Sequence, residues 1–176
     1  MKKISLIILM ICCSFVFVSG TFAADVAKIG VVSVQRILNE SSAGKMIQKK
    51  LSAKQKEIIA KMNTEKNEID KMIMDFRKEV LVLSPEKQEE KARIIRIRKN
   101  DFNEMDKKLT REFKKLQEQL LKQFRKDITA IVNELGNSQG YLLILEKKES
   151  AVVFSPAQID ITETIIKLYN KKAASQ

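Results

Sequence analysis

The chain has 176 residues, with 33 Lys and Arg against 22 Asp and Glu, a formal charge of +11, no His, two Cys and five Gly. Without imidazole the commonest general base and zinc ligand is missing, and no G-x-x-x-x-G-K-[ST] run offers a cradle for nucleotide phosphates. The remaining titratable residues form no cluster, so no enzyme, cofactor or metal is expected; the cationic excess favours anionic partners.

The first residues read as a targeting segment. Lys2 and Lys3 precede an apolar run over 4–18 and then small residues, the layout of a secretory signal peptide. Cleavage after Ala23 puts Thr21 at −3, whereas cleavage after Ala24 would put bulky Phe22 there. A membrane anchor is the competing reading, but roughly 15 apolar residues fall short of the ~20 that span a bilayer. A lipoprotein is a further alternative, against which Ile11 is a bulky neighbour for a lipid-bearing Cys12. Both Cys12 and Cys13 would leave with a segment 1–23. An exported chain without disulfides must hold together by packing or by oligomerisation, and export makes nucleic acid the least expected anionic partner.

The middle, 45–135, reads as a helical arm. From 45 to 83 there is no Gly or Pro, and helix formers dominate. Ser84-Pro85-Glu86 then ends one helix and starts another: a capping hydroxyl, a proline suited to the first turn and an acid at the positive end of the dipole. The second Gly- and Pro-free stretch runs to Leu135, and Gly136-Asn137 reads as its stop. The tip of the hairpin falls near 82–87.

Apolar residues recur along both helices every eleven positions, a spacing that keeps a seam nearly straight. Folded back about the Pro85–Glu86 junction, the two seams match in one antiparallel register. Ile47 faces Phe124, Leu51 faces Leu120, Ile58 faces Phe113, Met62 faces Leu109, Ile69 faces Phe102 and Phe76 faces Ile95. An ordinary bundle core is the alternative, but each helix carries only a narrow stripe, interrupted at Lys54, Gln55, Glu65 and Lys66. A helix inside a bundle needs a wider apolar face.

The flanks, 24–44 and 136–176, read as a small β-rich body. Strands are expected at 28–33, 141–145 and 151–154, the last two joined by a charged turn. A final helix follows Asp160, which has capping-box spacing to Glu163. The second and third strands are apolar on both faces, and so small a unit cannot cover them alone. Ile29, Val31, Leu143, Leu145 and Val153 are therefore expected in a body shared between copies of the chain. The fold class is α+β: a long antiparallel helical hairpin inserted in a small β body with short helices.

Two stretches of the arm are candidates for contact with a partner. Leu81, Val82 and Leu83 form an apolar cluster at the bend, either exposed for binding or closing the hairpin. Lys91, Arg93, Arg96, Arg98 and Lys99 form a basic run with no acid between them, either a solvated face or an electrostatic capture surface. Met62, Met72, Met74 and Met105 are adaptable packers that suit promiscuous surfaces and seams alike.

Taken in order, KIGVVSVQRILNESSAGK over 28–45, AVVFSPAQ over 151–158 and DITETIIKLYN over 160–170, placed around a long hairpin, resemble the Skp (OmpH-like) family of periplasmic chaperones. The resemblance covers essentially all of the chain after the signal segment. It implies a homotrimer whose strands build a shared β-barrel, with three hairpins projecting as tentacles. It also implies a periplasmic protein that holds unfolded outer-membrane proteins without ATP before their assembly. Anionic lipid or lipopolysaccharide is a further candidate partner; the basic residues proposed for it in some members find no confident counterpart here. The competing function is a structural coiled-coil scaffold of the envelope that holds no client.

Overall fold

The computed structural model describes residues 27–174, so the signal segment expected over 1–23 lies outside the described residues. Strand β1 (Ile29–Val32) leads into helices α1 (Val34–Glu40), α2 (Ser42–Glu79) and α3 (Pro85–Gln139). Strand β2 (Leu143–Glu146), a 3₁₀ turn (Ala157–Ile159) and helix α4 (Thr162–Ala174) follow. The architecture is mostly helical, with long helices and a small two-stranded sheet.

β1 and β2 pair in parallel, with Ile29 opposite Leu143 and Val32 opposite Glu146. Parallel strands need a crossover connection, and here the crossover is α1 together with the whole helical hairpin. On the other edge of β1, Val31 bridges to Asp160, and the Ile161 amide donates to the Val31 carbonyl at 2.9 Å. The base of the molecule thus threads three distant segments side by side.

The core sits beneath this sheet. The root of α3 supplies Phe124, Ile128, Ile131 and Leu135, which meet Val32, Ile37 of α1 and Ile161, Ile165, Ile166 and Tyr169 around α4. Phe124 packs edge-on against Tyr169, ring centroids 5.8 Å apart, a preferred aromatic geometry. Burial and the neighbouring Asp127 push the Tyr169 hydroxyl above its usual range.

Polar fasteners close the base. Ser41 caps α2 by accepting from the Gly44 amide at 3.0 Å, and Asn170 Oδ1 accepts from both the Ser42 amide and hydroxyl. A Cβ on Gly44 would lie 2.1 Å from the Leu38 carbonyl oxygen, so the α1–α2 corner requires glycine. Asp160 accepts from the Thr162 amide at 2.9 Å, where the expected capping box would have engaged Glu163, and from Lys147 Nζ at 2.8 Å. Burial pushes its carboxyl up, but hydrogen bonds from Lys147 and Thr162 outweigh that and hold it at about 2.

The structure departs from the sequence expectations in three places. The first arm helix starts at Ser42 rather than 45, because Ser41 supplies a cap four residues upstream of the expected start. The second runs through Gly136-Asn137 to Gln139. Its stop is Gly140, in the left-handed conformation at φ 68°, with the Tyr141 amide donating back to the Gly136 carbonyl as in a Schellman ending. The segment expected as a third strand, 151–154, is not a strand. After β2 the chain coils through 147–151, ending at Ala151 with φ 47°, and Val153 is fully exposed. The amides of Ser150 and Val152 donate back to the carbonyls of Glu146 (3.0 Å) and Lys147 (3.1 Å), closing a local turn where a strand ladder was expected.

Candidate functional site

The arm is built by two helices of 38 and 55 residues, on the order of 57 and 83 Å at 1.5 Å per residue. All twelve residues of the proposed seam lie off the exposed surface. Ile69, Leu109 and Phe124 are buried, and Ile47, Leu51, Ile58, Met62, Phe76, Ile95, Phe102, Phe113 and Leu120 are half-buried. Phe76 and Ile95 line one groove between the helices, of about 340 Å³, and Ile69 and Phe102 line another, of about 220 Å³. Ile47 packs against the core that holds Phe124. α2 and α3 therefore lie side by side and antiparallel, with two of the six expected pairs, Phe76 with Ile95 and Ile69 with Phe102, lining common grooves.

Polar groups pin the backbone at the tip. Val82 N donates to the Glu79 carbonyl at 3.0 Å, and Ser84 caps α3 by accepting from the Lys87 amide. Gln88, one turn into α3, reaches back and donates to the carbonyls of Val80 (2.8 Å) and Leu83 (3.0 Å). These are the orphan acceptors left where a helix ends, so the side chain fastens the turn without covering it. Leu83 is half-buried, whereas Leu81 and Val82 are 92% and 84% exposed. The tip thus combines a fixed backbone with uncovered apolar side chains.

The basic run is divided by its partners. Arg98 pairs with Glu68 at 3.3 Å and Glu65 at 3.7 Å, and Lys91 pairs with Glu79, each bridging α3 to α2. Arg93, Arg96 and Lys99 are exposed and, among the described residues, take no ion pair. Sequence reasoning missed these cross-helix acids because they lie far away in the chain. It also missed Ile94 and Ile97, which are 39% and 45% exposed between the arginines. Their signal was present as two isoleucines that fit neither eleven-residue series. Met74 and Met72 lie near the same end, the first exposed and the second lining the larger groove.

At the base the residues expected in a shared body divide in the same way. Val31 is buried and Leu145 half-buried, but Ile29 and Leu143 are partly exposed and Val153 wholly so. Leu142 and Phe154 beside them are 74% and 83% exposed. Exposed apolar side chains thus stand at the start of β2, in Leu142 and Leu143, and again in the segment after it, in Val153 and Phe154. Among the described residues, no cluster of His, Cys, Asp and Glu is suited to a metal ion, and no helix is long and apolar enough to cross a membrane.

The family model for outer membrane protein (OmpH-like) matches residues 28–169. No curated protein matches the chain. Six chains of solved structures do, among them an OmpH-like outer membrane chaperone candidate from Caulobacter crescentus CB15. It shares 15% identity, covers 89% of this chain and 91% of its own, and superposes with a TM-score of 0.77. At that identity the likeness is one of fold.

Proposed function

This chain belongs to the OmpH-like family, and from that membership we propose that it is an ATP-independent periplasmic holding chaperone for unfolded outer-membrane proteins. The single observation that carries the reading is the uncovered pair Leu81 and Val82 at the end of a rigidly turned arm. Exposed apolar side chains are costly to keep in water without a use, and a rod tens of ångströms long sets them far from the base. Weak apolar contacts at several tips add through multivalency, so many client sequences can be held without strict geometry.

Capture has two parts in this reading. Arg93, Arg96 and Lys99 attract acidic stretches of client over about a Debye length, and the tip then shields apolar ones. Lys91 and Arg98, satisfied by acids of α2, hold the arm together instead. The base supplies copies: Leu142, Leu143, Val153 and Phe154 are the apolar surface through which three chains share one β body, residues 24–44 and 136–176. Residues 1–23 are the cleaved signal that takes the chain to the periplasm. Anionic lipid or lipopolysaccharide is a secondary partner of the cationic surface, and no catalytic step is involved.

The test is suppression of aggregation of a urea-denatured β-barrel protein on dilution, without nucleotide. Full-length mature chain should keep the client soluble, and Leu81→Asp/Val82→Asp should not. A scaffold protein would leave aggregation unchanged in both. Leu143→Asp or Val153→Asp should reduce the mass measured by light scattering to that of a single chain; an unaltered mass would remove these residues from the shared body.

A further inference from the structure

The two long sides of the distal hairpin differ in how their charges are spent. Residues three or four apart share a helix face. On one side, Glu65, Glu68 and Glu79 of α2 meet Arg98 and Lys91 of α3, so the cations there are neutralised within the chain. On the other side, Lys66 of α2 and Lys99 of α3 stand on opposite lips of the 220 Å³ cleft. Neither takes an ion pair among the described residues, although Asp70 lies one turn on from Lys66. The floor between them is Ile69, 7% exposed, and Phe102, with Asn103 offering an amide at the rim.

We propose that this cleft binds an extended peptide segment in which a carboxylate stands beside an apolar side chain. The proposal rests on the reading of the chain as a holder of unfolded proteins and names the feature of the client recognised on the shaft. Charge complementarity selects the anion: two lysines without an ion pair, one from each helix, line a single groove together with apolar Ile69 and Phe102. The cleft's volume selects the size, because pockets for whole small ligands run to about 300–1,000 Å³ and this one holds about a single side chain. Its position selects a peptide over a lipid surface. Lys99 lies fourteen residues beyond Pro85, about 21 Å along the rod, so a bilayer meeting the arm end-on would touch Leu81 and Val82 first. A flexible chain can lie along the side of a rod, placing an apolar residue between the lysines and its neighbouring carboxylate against one of them.

Fluorescence anisotropy of the full mature chain with labelled ten-residue peptides tests this. One peptide alternates Phe and Glu; its counterpart alternates Phe and Gln. The chain should prefer the acidic peptide, and Lys66→Gln/Lys99→Gln should weaken that binding about tenfold while changing the neutral peptide's by less than twofold, the size expected for two partly exposed charge pairs. Lys54→Gln/Lys107→Gln, which removes the same charge from lysines already paired with Glu57 and Glu104, should leave both affinities within twofold. Equal losses from the two double variants would overturn the cleft in favour of general charge attraction. So would a Lys66→Gln/Lys99→Gln protein that loses only its binding to phosphatidylglycerol vesicles. If the chain holds denatured client but shows no acidic preference, the cleft alone falls. If it shows the preference but fails to hold client, the cleft stands and the holding function falls.

Discussion

Base and arm share the helices α2 and α3, yet the same side chains meet different fates in them. Phe102, Phe113 and Phe124 come from one eleven-residue series. Phe124, at the root, has α1, α2 and α4 around it and is 2% exposed, whereas Phe102 and Phe113, on the shaft, have one neighbouring helix and stay half-buried. Among these three phenylalanines, burial follows the number of neighbouring elements, while the smaller Ile69 and Leu109 are buried even on the shaft. The base is accordingly a three-dimensional core, and the arm is a zipper that can open locally at low cost. Under the proposed function that division would give rigidity at the base and compliance along the arm.

The largest test of the contrast compares two aromatic truncations. Phe124→Ala should cost about 3–5 kcal/mol, the range for a buried aromatic, and should expose Tyr169. Phe113→Ala, on the open seam, should cost only about 1–2 kcal/mol, since much of its surface already meets water. Urea unfolding at one fixed chain concentration reads both, since the proposed assembly would make apparent stability depend on concentration. Equal costs would mean that the arm is as tightly enclosed as the base. Gly44→Ala comes next. Its methyl would press on the Leu38 carbonyl, and relief requires the α1–α2 corner to open, at an expected cost of about 2–3 kcal/mol; Gly136→Ala, whose Cβ would meet only Ile144 at 3.5 Å, should be neutral or mildly stabilising.

A smaller effect carries a pH signature. Asp160 is held at about 2, below its ordinary 3.8, so it contributes stability that is complete above about pH 4 and is lost as pH falls through 2. Asp160→Asn should therefore cost about 1–2 kcal/mol at pH 7, a cost that shrinks between pH 4 and 2. Because the group belongs to the base, the tip should not respond: binding of denatured client at pH 7 should be the same in the variant wherever it remains folded. A pH-independent difference would assign the destabilisation to packing and not to the Lys147 and Thr162 bonds.

How much of this was legible in the sequence differs between the same two regions. The arm was readable because its grammar is local. Periodicity names the seam, Ser84-Pro85-Glu86 names the bend, and no distant residue is needed to interpret Ile69 or Phe102. The base was readable only in outline. That strands fall near 28–33 and 141–145 follows from composition, though the second is shifted to 143–146, and their parallel pairing depends on the long crossover. The coil that keeps 151–154 out of the sheet turns on Ala151, a residue with no outward mark of a left-handed conformation. Gly136 reads as a stop because glycine marks helix ends statistically, yet the helix runs through it and it is Gly140 that takes the left-handed conformation. In the basic run, charge was visible and pairing was not, since Glu65 and Glu68 lie some thirty positions from Arg98.

That last gap gives the finest test of the division between structural and capturing cations. Arg98 lies in a cross-helix pair that is partly exposed, with 44% of its side chain open to solvent, so its pair is worth well under a full buried bridge. Arg98→Gln should lower stability by about 0.5 kcal/mol, less at high salt, and change the capture rate of an acidic denatured client by less than twofold. Arg93→Gln/Arg96→Gln should do the reverse, leaving the unfolding midpoint unchanged while slowing capture severalfold at low ionic strength, with the difference fading as salt rises to screening levels. Stopped-flow capture at two salt concentrations, set beside urea midpoints, reads both. Should Arg98→Gln slow capture as much as the double variant does, then pairing with Glu65 and Glu68 does not withdraw its charge from clients, and the whole run acts as one field rather than as a strut and a lure.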